Sequence, residues 1–211
     1  MSPAPILAAA DGPPLILASG SATRRAMLAA VGVPLAGVHA APVDEAAIRD
    51  RARRAGTPTD QTAQALAEAK AMAVAADHPG ALVLGADQML ETEDGAWLEK
   101  PVDRAAARAQ LLALAGRPHR LVSAAVLVRD GRVVGAVADA ATLTVRPLSP
   151  AFLDAYLEAV GDTVTTSVGG YRIEGPGLQL FSAVTGDHFT ILGLPLLPLL
   201  ALLRTEGLLC A

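Results

Sequence analysis

With 211 residues, 17 basic and 21 acidic side chains and a net charge of −4, the chain lacks the broad basic face that a nucleic-acid polymer demands, although a few arginines and lysines gathered in one place still suit a small polyanion. Hydrophobic residues reach 52% with only 3% aromatic, and mean hydropathy is +0.41. The core is therefore built from Leu, Val, Ile and Ala, in one large α/β domain or two lobes sharing a core.

Residues 1–13 read as a loose extension ahead of a domain over 14–211. No Lys or Arg precedes Arg24 and Asp11-Gly12-Pro13-Pro14 interrupts the apolar run, which is unlike a secretory leader. The lone cysteine, Cys210, has no partner for an internal disulfide and fits a reducing, cytoplasmic setting.

Leu15 to Ala18 is an apolar run that breaks at Ser19-Gly20-Ser21. Arg24 and Arg25 then open a segment with helical spacing at Met27, Leu28 and Val31, predicting a strand, a tight turn and a helix start. Unpaired N–H groups at a helix N-terminus attract anions, and paired guanidiniums suit phosphate oxygens. The same residues also read as a serine cap with solvated arginines.

Val33 to Val38 is expected as a second strand, followed by the acidic pair Asp44-Glu45. Residues 46–58, with Arg49, Arg51, Arg53 and Arg54 beside Gly56 and Pro58, read as an exposed loop or frayed helix. Asp60 to Ala76 has helical spacing and propensity, and Lys70 in its second half reads by itself as a solvent lysine.

Ala81 to Ala86 is predicted as a strand buried on both faces and ending on Asp87-Gln88. A carboxylate at the C-terminal end of a buried strand is where α/β sheets place their sites. A turn aspartate is the other reading, but the chain continues as Met89-Leu90 rather than adding Gly, Pro or Asn. Glu93-Asp94-Gly95 is a hairpin signal that returns through Trp97 to Glu99-Lys100-Pro101. Asp103 caps a helix closed by Gly116. Two strands, Leu121 to Val128 and Val133 to Val145, are joined by Asp130-Gly131, and Ser149-Pro150 starts a helix running to Val160.

Residues 167–177 hold four glycines, which permit unusual backbone angles and close approach to a ligand. A strand pair around 178–184 and 189–192 is expected to follow. The segment 191–203 is too short to span a bilayer and contains Pro195 and Pro198, so it reads as a buried helix, with no membrane partner. The histidines at 39, 78, 119 and 188 lack zinc spacing and read as structural.

Taken in order, LILAS-x-S-x-x-RR, A-x-x-KA, GADQ, EKP, GGY-x-I-EG-x-G and GLPL resemble the Maf family of nucleoside triphosphate pyrophosphatases over residues 15–206. The resemblance implies an α/β fold of the inosine-triphosphate-pyrophosphatase type: an elongated mixed sheet with flanking helices, two lobes and a central cleft, often in a homodimer. It also implies cleavage of the α–β phosphoanhydride to a nucleoside monophosphate and pyrophosphate. Carried over by motif, the phosphate-binding turn falls on Ser21, Arg24 and Arg25, the acidic position on Glu45, the helix lysine on Lys70, the catalytic aspartate on Asp87 and the lysine before proline on Lys100. Glu45 and Asp87 together would hold Mg2+ or Mn2+, as hard cations prefer carboxylate oxygens.

Two residues, Ala22 and Thr23, separate the serine from the arginine pair, Gln88 follows the aspartate, and Glu174 stands in the glycine-rich loop. All three resemble the subfamily that hydrolyses 7-methyl-GTP, while Gly169-Gly170-Tyr171 resembles the dTTP- and UTP-hydrolysing branch. Glu174 also has a chemical reading: a carboxylate only accepts hydrogen bonds, and guanine offers N1–H and its 2-amino group side by side. A nucleotide-binding regulator of cell division is the non-catalytic alternative that the resemblance leaves open.

Overall fold

The computed structural model describes residues 8, 9 and 11–210. Most of the expected extension over 1–13 therefore lies outside the described residues, and Ala8 forms a single antiparallel bridge with Leu209. The fold is α/β, with a mixed seven-stranded sheet flanked by helices.

In chain order the elements are β1 (Leu15–Ala18), α1 (Ala22–Ala30), β2 (Gly37–Val38), α2 (Glu45–Ala55), α3 (Thr59–Ala75), β3 (Leu82–Thr92) and β4 (Trp97–Leu98). They continue as α4 (Arg104–Leu114), β5 (Pro118–Arg129), β6 (Arg132–Val145), α5 (Pro150–Val160), β7 (Phe181–Thr185), α6 (His188–Leu192) and α7 (Leu196–Thr205). The strand order is β2-β1-β3-β5-β6-β7, with β4 paired to β3. Among the described residues no helix is long and apolar enough to cross a membrane.

The chain divides into two compact units. The first holds the described residues up to Gln88, Ser123–Asp139 and those from Leu192 on; the second holds Met89–Val122 and Ala140–Ile191.

In the first unit, β1 pairs in parallel with β2 and with β3, Ala18 standing opposite Gly85. Parallel strands covered on both faces read as unbroken apolar runs, and Leu15, Leu17, Leu82 and Leu84 are accordingly buried. The helix α3 supplies Ala63, Leu66, Ala67 and Ala71 to the same core. Small residues there let the helix lie close to the sheet. A methyl group on Gly85 would stand 2.8 Å from the Ala71 amide nitrogen and nearer still to the Ala67 carbonyl oxygen.

In the second unit, β4 returns against β3 with Leu90 opposite Leu98, and β7 runs antiparallel to β6. Asp103 and Ser149 cap α4 and α5 by accepting from Ala106 N–H and Phe152 N–H. The turns at Gly161–Thr165 and Val168–Gly170 pack on α4.

Several expectations need correction. Of the two forms expected for residues 46–58 the helix holds and the loop does not: Asp44 accepts from Ala47 N–H at 3.0 Å and starts α2, which exposes Arg51, Arg53 and Arg54. The second strand shrinks to Gly37 and Val38, paired with Ile16 and Leu17 of β1 and flanked by the last bonds to that strand, from Ala36 N–H to the Leu15 carbonyl and from His39 N–H to the Leu17 carbonyl. Asp87 does not end its strand. Parallel pairing with β1 stops at Gly85, while β3 continues to Thr92 on its other neighbours. Residues 178–192 hold one strand rather than two, since Asp187 accepts from Phe189 and Thr190 N–H and turns the chain into α6. The C-terminal apolar segment is split by Gly193-Leu194-Pro195 into the end of α6 and the separate helix α7.

Candidate active site

Four elements of the first unit bring their charged residues together. The turn after β1 leads into α1, whose N-terminus is capped by Ser21 Oγ accepting from Arg24 N–H at 3.3 Å. No acidic residue occupies the first turn of α1, where the positive end of the helix dipole favours negative charge. Two arginines near that end repel it, and the arrangement is relieved by an anion from elsewhere.

Part of that relief comes from β3 and α2. Lys70 on α3 donates to Asp87 Oδ1 at 2.5 Å and to Glu45 Oε1 at 2.9 Å, so one ammonium is shared by two carboxylates. Lys70 and Asp87 side chains are only 12% and 7% exposed. In that setting the pair interacts more strongly than the same contact would in water. Glu45 is held from its other side by Arg49, whose Nη1 donates to Oε2 at 3.2 Å. The reading of Lys70 as a solvent lysine fails because α3 lies close enough to Gly85 for its lysine to reach the strand residue two positions on, which projects from the same face.

The two arginines have separate duties. Arg24 donates from Nε to the Gly193 carbonyl at 2.9 Å, and from Nη1 to the Ala86 carbonyl at 2.9 Å and to Ser19 Oγ at 3.2 Å. Arg25 is exposed.

Burial pushes the Asp87 carboxyl up and outweighs the opposing pull of Lys70 and Arg24, so its pKa lies above the ordinary aspartate value. Burial also acts to raise Glu45, but there the contacts with Lys70 and Arg49 prevail and its pKa falls. Desolvation lowers the pKa of Arg24, opposed by Asp87 and Glu45; a guanidinium starts so high that it stays charged at neutral pH. Two carboxyls of the same cluster are thus driven apart, the pattern by which acid and base duties are assigned.

Gln88 projects away from Asp87, and its Nε2 donates to Ser123 Oγ at 3.2 Å. Lys100 and Glu174 belong to the second unit. Lys100 is exposed after β4. Glu174 lines a cavity of about 330 Å3 with Tyr156, Val164, Tyr171, Arg172 and Gly177. Its Oε1 accepts from Arg172 Nη2 at 2.9 Å. Arg49, expected only as part of a solvated charged stretch, stands four residues after Glu45, a helical ion-pair spacing that signals the contact.

The sequence profile of the Maf family, described as Maf-like protein, matches residues 14–206. A nucleoside triphosphate pyrophosphatase of Paramagnetospirillum magneticum is 53% identical over 192 residues, covering 91% of this chain and 98% of the relative. A 7-methyl-GTP pyrophosphatase of Mesorhizobium japonicum is 51% identical over 193 residues, covering 92% and 96%. A second protein of that name, from Brucella abortus, is 45% identical over 192 residues, covering 91% and 96%.

Proposed function

This chain belongs to the Maf family, and on that premise we propose that it hydrolyses nucleoside triphosphates at the α–β phosphoanhydride, with 7-methyl-GTP as its preferred substrate. The observation that carries the reading is the shared ammonium of Lys70 between Asp87 and Glu45, beside the arginine-bearing start of α1. Relatives named for this activity at about half identity over nearly the whole chain support it.

In this reading Asp87 accepts a proton from a water that attacks the α-phosphorus. The new P–O bond forms as the bond to the bridging oxygen breaks, giving a nucleoside monophosphate and pyrophosphate. A carboxylate whose pKa is raised by burial takes a proton more readily than an ordinary aspartate. Lys70 fixes the orientation of that carboxylate, and Arg25 with the N–H groups of α1 draws in the polyphosphate. Ser21 serves the turn by capping the helix, Arg24 by holding it in place, and Lys100 contributes a further cation for the triphosphate.

Carboxylate oxygens from Glu45 and Asp87, neighbours on one ammonium, suit Mg2+ or Mn2+ as donors. Mg2+ is commonly held by one or two carboxylates together with substrate phosphates, a demand that two carboxylates sharing one ammonium can meet. Bound there, the cation would neutralise charge on the phosphates.

Glu174 favours guanine because its carboxylate accepts from N1–H and the 2-amino group, whereas the O2 of a pyrimidine would face it with like charge. Gln88, expected at the substrate, acts instead by tying β3 to Ser123 through its side-chain amide. The reading also carries a single domain over 14–211 of the inosine-triphosphate-pyrophosphatase type, a cytoplasmic location and a homodimer.

The test is pyrophosphate release from a panel of 7-methyl-GTP, GTP, dTTP and UTP with Mg2+ or Mn2+. Turnover of 7-methyl-GTP above the others is expected. Absence of pyrophosphate from every nucleotide would leave a binding protein instead.

A further inference from the structure

The second unit contains a buried polar pair that the proposed chemistry does not use. His119 on β5 and Tyr171 in the glycine-rich segment are 1% and 4% exposed, and His119 Nε2 lies 2.6 Å from the Tyr171 hydroxyl. Burial lowers the His119 pKa to about 4, so the ring is neutral across the physiological range. Among the described residues its buried Nδ1 has no hydrogen-bond partner, which leaves the Tyr171 hydroxyl as the one protein group that fixes the ring through a hydrogen bond there.

Tyr171 is anchored on every side. Its ring packs edge-on against Phe181 at 4.8 Å between centroids, and its carbonyl accepts from Ser167 Oγ at 2.5 Å. Gly169 has φ +77°, and a methyl group there would stand 2.7 Å from Tyr171 Cε1. Three residues beyond this anchor, Glu174 lines the same cavity as Tyr171, with its Oε1 gripped by Arg172 at 2.9 Å.

We infer that His119 and Tyr171 form a latch that sets the position of Glu174, making them positioning residues for the choice of nucleobase. The inference rests on the proposed reading of Glu174 as the acceptor of guanine donors. A carboxylate discriminates between bases only if its oxygen is held where the donors arrive, since a loose acceptor can swing clear of a pyrimidine's O2 and lose the repulsion. The hydrogen bond spans 52 positions and ties a strand of the sheet to a segment that otherwise runs in short turns.

The experiment compares the ratio of kcat/KM for GTP to that for UTP in the parent, Glu174→Gln, Tyr171→Phe and the double variant, with Tm recorded for each. Tyr171→Phe keeps the ring and its stacking but strands His119, and is expected to lower the ratio about tenfold. In the Glu174→Gln background the same change is expected to leave the ratio where it is, because the latch acts only through Glu174.

An unchanged ratio in Tyr171→Phe overturns the inference, whatever happens to Tm. Equal losses in both backgrounds also overturn it, since the latch would then act by another route. If Glu174→Gln itself leaves the ratio unaltered, the base reading falls and takes the latch with it, whereas a ratio moved by Glu174→Gln and not by Tyr171→Phe removes the latch alone. His119→Leu repeats the test from the other end of the hydrogen bond, so the result does not depend on one variant folding.

Discussion

Substituting Gly85 by alanine tests the contact on which the Lys70–Asp87 ion pair depends. The added methyl group would lie 2.8 Å from the Ala71 amide nitrogen, against 3.4 Å or more for an ordinary contact. The helix α3 must therefore retreat by at least 0.6 Å, and by more to clear the Ala67 carbonyl. Both obstacles are backbone atoms, so no rotamer change relieves them. Overpacking of this kind costs about 1–3 kcal/mol, which corresponds to a fall in Tm of roughly 2–12 °C for a domain of this size. Lys70, adjacent to Ala71, withdraws with the helix from its 2.5 Å contact with Asp87, and misplacement near 1 Å can reduce catalysis on the order of 10²-fold. Thermal denaturation and pyrophosphate release measure the two effects. Gly20→Ala is the stability control, because a methyl group there meets nothing within 4 Å. Parent-like Tm and kcat/KM in Gly85→Ala would refute the argument that close strand–helix approach builds the site.

Other outcomes follow from the same geometry. Asp87→Asn should keep nucleotide affinity, read by isothermal titration calorimetry, while turnover falls by about 10²–10⁴-fold. Because burial raises the Asp87 pKa, the Asp87 carboxyl of the metal-free protein should take up its proton above the ordinary aspartate range, read by NMR titration. Lys70→Met removes a lowering influence and should move that titration to higher pH. Linkage carries the shift into folding: a carboxyl whose native pKa exceeds its unfolded value contributes less stability as pH rises through the interval between them, which denaturant titrations across that interval can detect. Asp44→Ala should cost about 1 kcal/mol by removing the α2 cap, measured by chemical denaturation. Glu174→Gln should lower activity on guanine nucleotides more than on UTP in the nucleotide panel.

Elements with strong local signals were legible in the sequence. The β1 turn, the hairpin at Asp130-Gly131 and the capped helices α4 and α5 follow from apolar runs, turn residues and cap chemistry close to one another in the chain. The partnership of Lys70 with Asp87 was not, because its cause is the packing of Gly85 on Ala67 and Ala71. Nothing near Lys70 announces that contact; only the motif resemblance singled the lysine out. Arg49 failed differently. Its helical spacing to Glu45 was present, but neighbouring arginines, Gly56 and Pro58 made the whole stretch resemble a solvated loop or frayed helix with no fixed side chains. The extra strand expected near residues 189–192 reflects a short apolar run whose helical fate is decided by Asp187, a side chain just outside it.

The bond from Arg24 to the Gly193 carbonyl joins residues 169 positions apart. During synthesis the arginine therefore waits for almost the entire polypeptide: at roughly 5–20 residues per second the ribosome needs on the order of 10–30 s to deliver its partner. A nascent chain stalled short of Gly193 would present the opening bend with its guanidinium unmoored, and the bend would take its final form only near translation's close.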